Sequence, residues 1–145
     1  MKYFKEKIQN IKIIQKNNNQ TPLAVAYDFE HLPQYMDIQV IAELFNVRVN
    51  KQYVLQFTFI CSSNPTNLHL LNNVIFKPII EDMIKVDDNY GLTYGSFTTT
   101  FPFDAYGEYE IKIDLLDFDL ISSLNSDSES SVLDTYKTYL FVGEK

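Results

Sequence analysis

The feature that most constrains this chain is one run of strict alternation. In Gly107-Glu108-Tyr109-Glu110-Ile111-Lys112-Ile113-Asp114-Leu115, odd positions after the glycine are apolar and even ones charged. Successive side chains of a β-strand point to opposite faces, so such a run has one dry face and one wet face. A helix would spread both sets around its circumference. The chain therefore holds at least one half-buried strand, and the same period is sought elsewhere.

It recurs. Tyr53, Leu55, Phe57, Phe59 and Cys61 share one face of residues 53–61, while Val54, Gln56, Thr58 and Ile60 make the other half apolar. That predicts a more central strand. Residues 23–29 and 97–103 alternate too, and Pro102 marks an edge or a strand end because it cannot donate to a ladder. Residues 135–142 are rich in β-formers. Residues 37–49 fit two patterns: Ile38, Val40, Ala42 and Leu44 read as a strand, Ile38, Ile41, Ala42 and Phe45 as a helical stripe. The Val and Ile content, with Asn46 and Asn50 as turns, favours the strand. Ile8, Ile11, Ile13 and Ile14 allow a short N-terminal helix running into a strand, followed by a turn over residues 17–22. Residues 74–80, broken by Pro78, and 83–86 are shorter β-candidates. Turn signals about ten residues apart suit a sandwich of short strands. Residues 122–131 form a Ser/Asp-rich stretch that reads as a flexible loop before the last strand. No repeat or linker divides residues 1–145, so one domain is expected.

Composition narrows the function classes. With 46% hydrophobic and 14% aromatic residues in 145, the chain can fill one core and is not disordered. No apolar run approaches the ~20 residues of a membrane span. Nineteen acidic residues against twelve basic ones give a net charge of −7. Arg48 is the sole arginine, and Lys2, Lys5, Lys7, Lys12 and Lys16 read as a solvated N-terminal face, so direct nucleic-acid binding is not expected. The basic start leads into polar residues rather than a signal-peptide core, and the single Cys61 can form no internal disulfide. Both point to the cytoplasm. The preference for Ile, Asn and Lys fits an AT-rich genome, such as a low-GC bacterium or its phages.

Reactive residues are few. His31 lies between Asp28, Glu30 and Pro33, where a turn would have to gather the acids around it. His69 has no acid or cysteine near it in sequence. Cys61 falls on the apolar face of its strand, the place of a small buried hydrophobe rather than a nucleophile. Asp114, Asp117 and Asp119, and Glu81, Asp82, Asp87 and Asp88, could serve as calcium loops only if two of them converge, because calcium takes six to eight oxygens. No catalytic residue, metal ligand or cofactor site is assigned.

The segment Phe103-Asp104-Ala105-Tyr106-Gly107-Glu108-Tyr109-Glu110-Ile111-Lys112-Ile113 resembles the entry to the penultimate strand of immunoglobulin-like sandwiches. The resemblance implies that the Tyr109 hydroxyl closes a corner against upstream backbone. Ile111 stands where antibody-type domains place a cysteine, and the chain has no tryptophan. Leu32-Pro33, Gly107-x-Tyr109 and the terminal Leu140-Phe141-Val142 are similar in layout to small, uncharacterised bacterial and prophage β-sandwich proteins. The implied fold is all-β: a single immunoglobulin-like sandwich of seven to nine antiparallel strands. The expected role is a non-enzymatic phage or mobile-element accessory module that binds another protein, from the host or its defences. Tyr90, Tyr94, Tyr106 and Tyr136 are the expected surface anchors. The sequence permits self-association. The rival readings are an acidic mimic of nucleic acid, a calcium-binding sandwich and a small hydrolase.

Overall fold

The alternating runs become the strands of two facing sheets. The computed structural model describes residues 4–15, 25–26, 32–85, 87–122 and 131–143. Its strands are β1 (Lys7–Gln15), β2 (Val25–Ala26), β3 (Gln34–Arg48), β4 (Tyr53–Cys61), β5 (Asn64–Phe76), β6 (Met83–Lys85), β7 (Tyr90–Phe103), β8 (Gly107–Asp117) and β9 (Val132–Val142). One short helix, α1 (Phe118–Ser122), follows β8. One sheet runs β1-β3-β7-β6 and the other β2-β9-β8-β4-β5. Every pairing is antiparallel except β2 against β9. This is the expected all-β immunoglobulin-like sandwich.

Each strand contributes one row to the core. Ile38, Val40, Ala42 and Leu44 of β3 face Leu55, Phe57 and Phe59 of β4 and Tyr109, Ile111, Ile113 and Leu115 of β8, all buried. Aromatic rings fill one end of the interlayer. Phe101 lies 4.8 Å from Phe59 and 4.7 Å from Phe103 by ring centroids, and Tyr109 meets Phe101 and Phe103 edge-on. Offset and edge-on packing suits the ring quadrupoles.

Tyr109 also makes the corner. Its hydroxyl donates to the Ala105 carbonyl at 2.7 Å and accepts from the Ala105 N–H at 3.3 Å. The loop between the sheets is thus tied to the strand it feeds. Gly107 enters that strand at φ +134°, and a Cβ there would stand 2.6 Å from the Ser62 hydroxyl. Only glycine fits both conditions.

Two bulges explain where the sequence pattern misleads. In β1 the register slips between Ile8 and Asn10, so the buried row moves from Ile8 to Ile11 and Ile13. The extra residue turns a spacing of two into a spacing of three, which imitates a helix. The expected N-terminal helix is therefore a bulged strand over Lys7–Gln15. In β3 the slip between Leu44 and Val47 is accommodated by Asn46 at φ 62°, a conformation asparagine tolerates. Residues 34–48 are strand throughout, as the Val and Ile content favours.

Other boundaries moved outward. The strand expected at 97–103 begins at Tyr90, with Pro102 at its far end opposite Tyr35. The short candidate at 74–80 is the tail of β5, which starts at Asn64 and stops before Pro78. The turn at 17–22, most of the strand expected at 23–29 and the Ser/Asp-rich loop lie outside the described residues, apart from Ser122 and Ser131 at the loop's ends.

The two faces of β8 carry very different weights. Ile111→Ala removes a fully buried side chain, and thermal melting should show a loss of about 2–5 kcal/mol. Glu110→Ala, on the outer face, should change stability by no more than about 0.5 kcal/mol.

Candidate interaction surface

The four tyrosines do not form one surface. Tyr94 is 55% exposed on the outer face of β7, and Tyr90 at the start of that strand is half-buried. Tyr106 is 37% exposed in the loop beyond the far end of β7. At ~3.3 Å per residue, a strand of that length sets Tyr94 and Tyr106 roughly 30 Å apart. Tyr136 points inward, packs against the core, and reaches the Asn10 side-chain oxygen at 3.5 Å. Sequence alternation in β9 could have separated Tyr136 from Tyr139, because Leu140 and Val142 fix the inward parity.

Another group of exposed apolar residues lies on the outer face of the five-stranded sheet, while Tyr35, Ile84 and Tyr94 are exposed on the other sheet. Strand register arranges this face in rows. Ile75, Val54, Leu116 and Val132 form the first row, and Asn73, Gln56, Asp114 and Thr135 the second. Leu70, Thr58, Lys112 and Lys137 form the third. Beyond it Ile60 pairs with Glu110, Glu110 with Tyr139, and Glu108 with Phe141. Tyr139 is 61% exposed and Phe141 48%, while Leu68, Leu70 and Ile75 on β5 are each more than half exposed. Phe118 and Ile121 of α1 wall the first row and create a groove of about 480 Å³.

The polar rows are internally neutralised. Lys112 and Lys137 face each other across β8 and β9, but Lys112 lies 3.6 Å from Asp114 and Lys137 3.7 Å from Glu110. Asp114 is buried and accepts a 2.6 Å hydrogen bond from the Thr135 hydroxyl. The Tyr139 phenol is raised above its ordinary pKa, first by its hydrogen bond to Glu110 and then by that carboxylate's charge. The face offers apolar ends around a charge-paired middle.

Several of the clustered acids serve the framework. Asp117 is buried. One oxygen contacts the Lys51 ammonium at 2.7 Å and the other accepts the Asp119 and Leu120 N–H groups, capping α1. Lys51 also reaches buried Glu6 at 3.5 Å, and Glu6 accepts from the Tyr53 hydroxyl at 3.0 Å. Asp87 accepts from the Asn89 and Tyr90 N–H groups, and Asp88 pairs with Lys85. No three metal-ligating side chains gather among the described residues. Asp28, Glu30 and His31 lie outside them.

Cys61 and His69 do share a concavity, of about 220 Å³, with Asp104. Each has another neighbour. The thiol accepts from the Ser63 hydroxyl at 3.2 Å, and the imidazole stacks on Phe59 with centroids 5.0 Å apart. The thiol is also buried.

Comparison with known proteins finds likeness only in structure. No protein-family model and no curated protein matches the chain. A bacterial adhesin from Mobiluncus mulieris containing intramolecular disulfide, isopeptide and ester bond cross-links superposes with a TM-score of 0.63 at 9% identity over 96% of this chain. This chain spans 58% of that adhesin chain. The C-terminal domain of Wzt gives a TM-score of 0.54 at 13% identity, over 99% of this chain and 76% of that one. A glycosyl hydrolase family 2 member from Bacteroides cellulosilyticus gives 0.54 at 12% identity, over 94% of this chain and 14% of its own.

Two measurements probe this geometry. Cys61 should react slowly with a thiol reagent in the native protein and quickly in denaturant; equal rates would mean an open thiol. Burial raises the Tyr109 phenol to about 12 and Tyr53 further, against roughly 10 when unfolded. Their contribution to stability is therefore complete below about pH 10 and declines as pH rises toward about 12, where the unfolded chain has already lost those protons. Denaturation midpoints across that range should fall, and Tyr109→Phe should flatten the decline.

Burial, register and structural likeness together establish a fold: the chain is an immunoglobulin-like β-sandwich.

Proposed function

We propose that the chain is a non-enzymatic protein-binding module whose partner docks on the outer face of the five-stranded sheet. The observation that carries this reading is the set of exposed apolar side chains there: Leu68, Leu70 and Ile75 on β5, with Tyr139 and Phe141 on β9. Scattered surface apolar residues are ordinary, but a set on one face beside a groove is the mark of an interface. Tyrosine and phenylalanine supply large contact areas at small entropic cost. Tyr139 and Phe141 replace the four tyrosines as the anchors of this reading.

Charge pairing supports the same reading over mimicry of nucleic acid. A mimic needs a ridge of one sign, whereas Asp114 and Glu110 on this face stand beside Lys112 and Lys137. The prophage-like layout and the single thiol favour an accessory protein acting in the cytoplasm on a host or defence protein. That part of the proposal rests on resemblance.

The test is a titration against the partner captured from the native host. Tyr139→Ala should weaken binding by about thirtyfold or more, the size of a central aromatic anchor. Affinity should change little with EDTA and only modestly between low and high salt, since apolar burial is not screened. A steep salt dependence would favour the mimic, and loss on chelation a calcium site.

A further inference from the structure

The sandwich guards its edges unevenly. A strand edge presents unpaired N–H and C=O groups, and proteins blunt such edges with short strands, bulges, proline or lysine. The β1 edge has a bulge and exposed Lys7 and Lys12, and the Ile8 N–H is taken by the Asp134 carboxylate at 2.7 Å. At one edge of the other sheet, β2 is two residues long. In β5, Pro65 lies near the start, the register against β4 slips after Phe57 and again after Phe59, and Lys77 and Pro78 follow. The three-residue β6 ends in exposed Lys85.

One stretch has none of these devices. The β6 strand covers only Gly91, Leu92 and Thr93 of β7. From Tyr94 to Phe101 that side of β7 has no strand partner among the described residues. The stretch is uncharged and free of proline, and its register against β3 is unbroken from Thr93 to Phe103. Beneath its first half, a cavity of about 260 Å³ opens between β7, β5 and the connection to β6, where Ile79 and Asp82 line it, and reaches the core residues Leu44 and Leu55. Gly95 and half-buried Phe97 line it, and Phe97 packs edge-on against Phe57 at 5.0 Å.

We propose that residues 94–101 of β7 pair antiparallel with the same residues of a second copy, joining the two four-stranded sheets into one. A second copy is the occupant because this edge is its own complement. It is extended, it holds the β-branched run Thr98-Thr99-Thr100, and its own residues carry no charge to repel the twin in a chain of net charge −7. An antiparallel pairing of identical strands closes on a two-fold axis and uses up this stretch of edge in both copies. Odd residues of β7 face the core, so odd must oppose odd. That places the axis at Thr98, because an axis at Phe97 would set Phe101 of the second copy opposite Thr93, which Met83 of β6 already occupies; the two Phe97 rings are then diagonal neighbours across the new pair. The ladder is short, so the buried area falls below the ~1,200 Å² of a standard interface and association is concentration-dependent. This inference is independent of docking on the outer face of the other sheet.

Sedimentation of the full chain tests it, at near-physiological salt so that net charge is screened. From about 10 μM to about 1 mM, the wild type should shift from monomer to dimer. Thr98→Lys, on the exposed outer face, should remain monomeric throughout with unchanged melting, because edge lysines oppose pairing. Thr98→Glu should do the same, and a mixture of the two variants should recover dimer. A wild type that stays monomeric at the highest concentration overturns the proposal. So does a dimer that persists in Thr98→Lys, or a folded mixture that fails to pair.

Discussion

The corner at Tyr109 is the interaction on which the rest of the structure depends. One hydroxyl holds both polar groups of the Ala105 backbone, while the ring behind it packs against Phe59, Phe101 and Phe103. The loop from β7 to β8 carries the chain from one sheet to the other, so fixing it fixes how the layers meet. It also fixes the phase of β8. With Tyr109 inward, Ile111, Ile113 and Leu115 must be inward too, and the acids and Lys112 must be outward. Both the core and the proposed interface inherit their composition from that one choice.

A polar counterpart stands at the other end of β8. Asp117 is held by Lys51, Lys51 by Glu6, and Glu6 by the Tyr53 hydroxyl, which in turn accepts from the Arg48 N–H. Burying two carboxylates is tolerable only because each is paired and hydrogen-bonded. The cluster joins the segment before β1, the β3–β4 turn and the start of α1. It therefore also places Phe118 and Ile121, which wall the groove on the outer face. Asp117, one of the carboxylates whose spacing suggests a calcium loop, thus holds the framework of that groove.

The fold was legible wherever burial on one face coincided with unbroken pairing. In β4 the alternation ran from Tyr53 to Cys61 and the strand has those limits. In β1 and β3 the bulges shifted the phase, and a pattern of two became one of three or four. The first part of β5 gave no signal because it is an edge whose outward leucines are exposed and whose inward positions include His69, Asn72 and Asn64. Helix α1 was missed because its signal is local: Asp117 accepts backbone N–H groups two and three residues on, a capping spacing shared with many turns. The candidate site was less legible. Tyrosine counts do not say which face a tyrosine takes, and the rows that bring Ile75 beside Val132 are set by pairings between distant segments.

In the proposed interface, the outer face of the five-stranded sheet would separate the sources of affinity and selectivity. Its apolar ends, at Ile75 and Leu116 on one side and Tyr139 and Phe141 on the other, can lower free energy against any surface of suitable shape. Its middle rows cannot. Buried Asp114 has its Thr135 and Lys112 partners in place, and a partner that covers them without leaving them hydrogen-bonded meets a desolvation penalty. A purely apolar ligand is thus opposed at the centre of the face even though its ends are attractive. The complement that satisfies every row is apolar at both margins and polar between them, a pattern that a folded protein surface or an extended β-strand can present and a simple polyanion cannot.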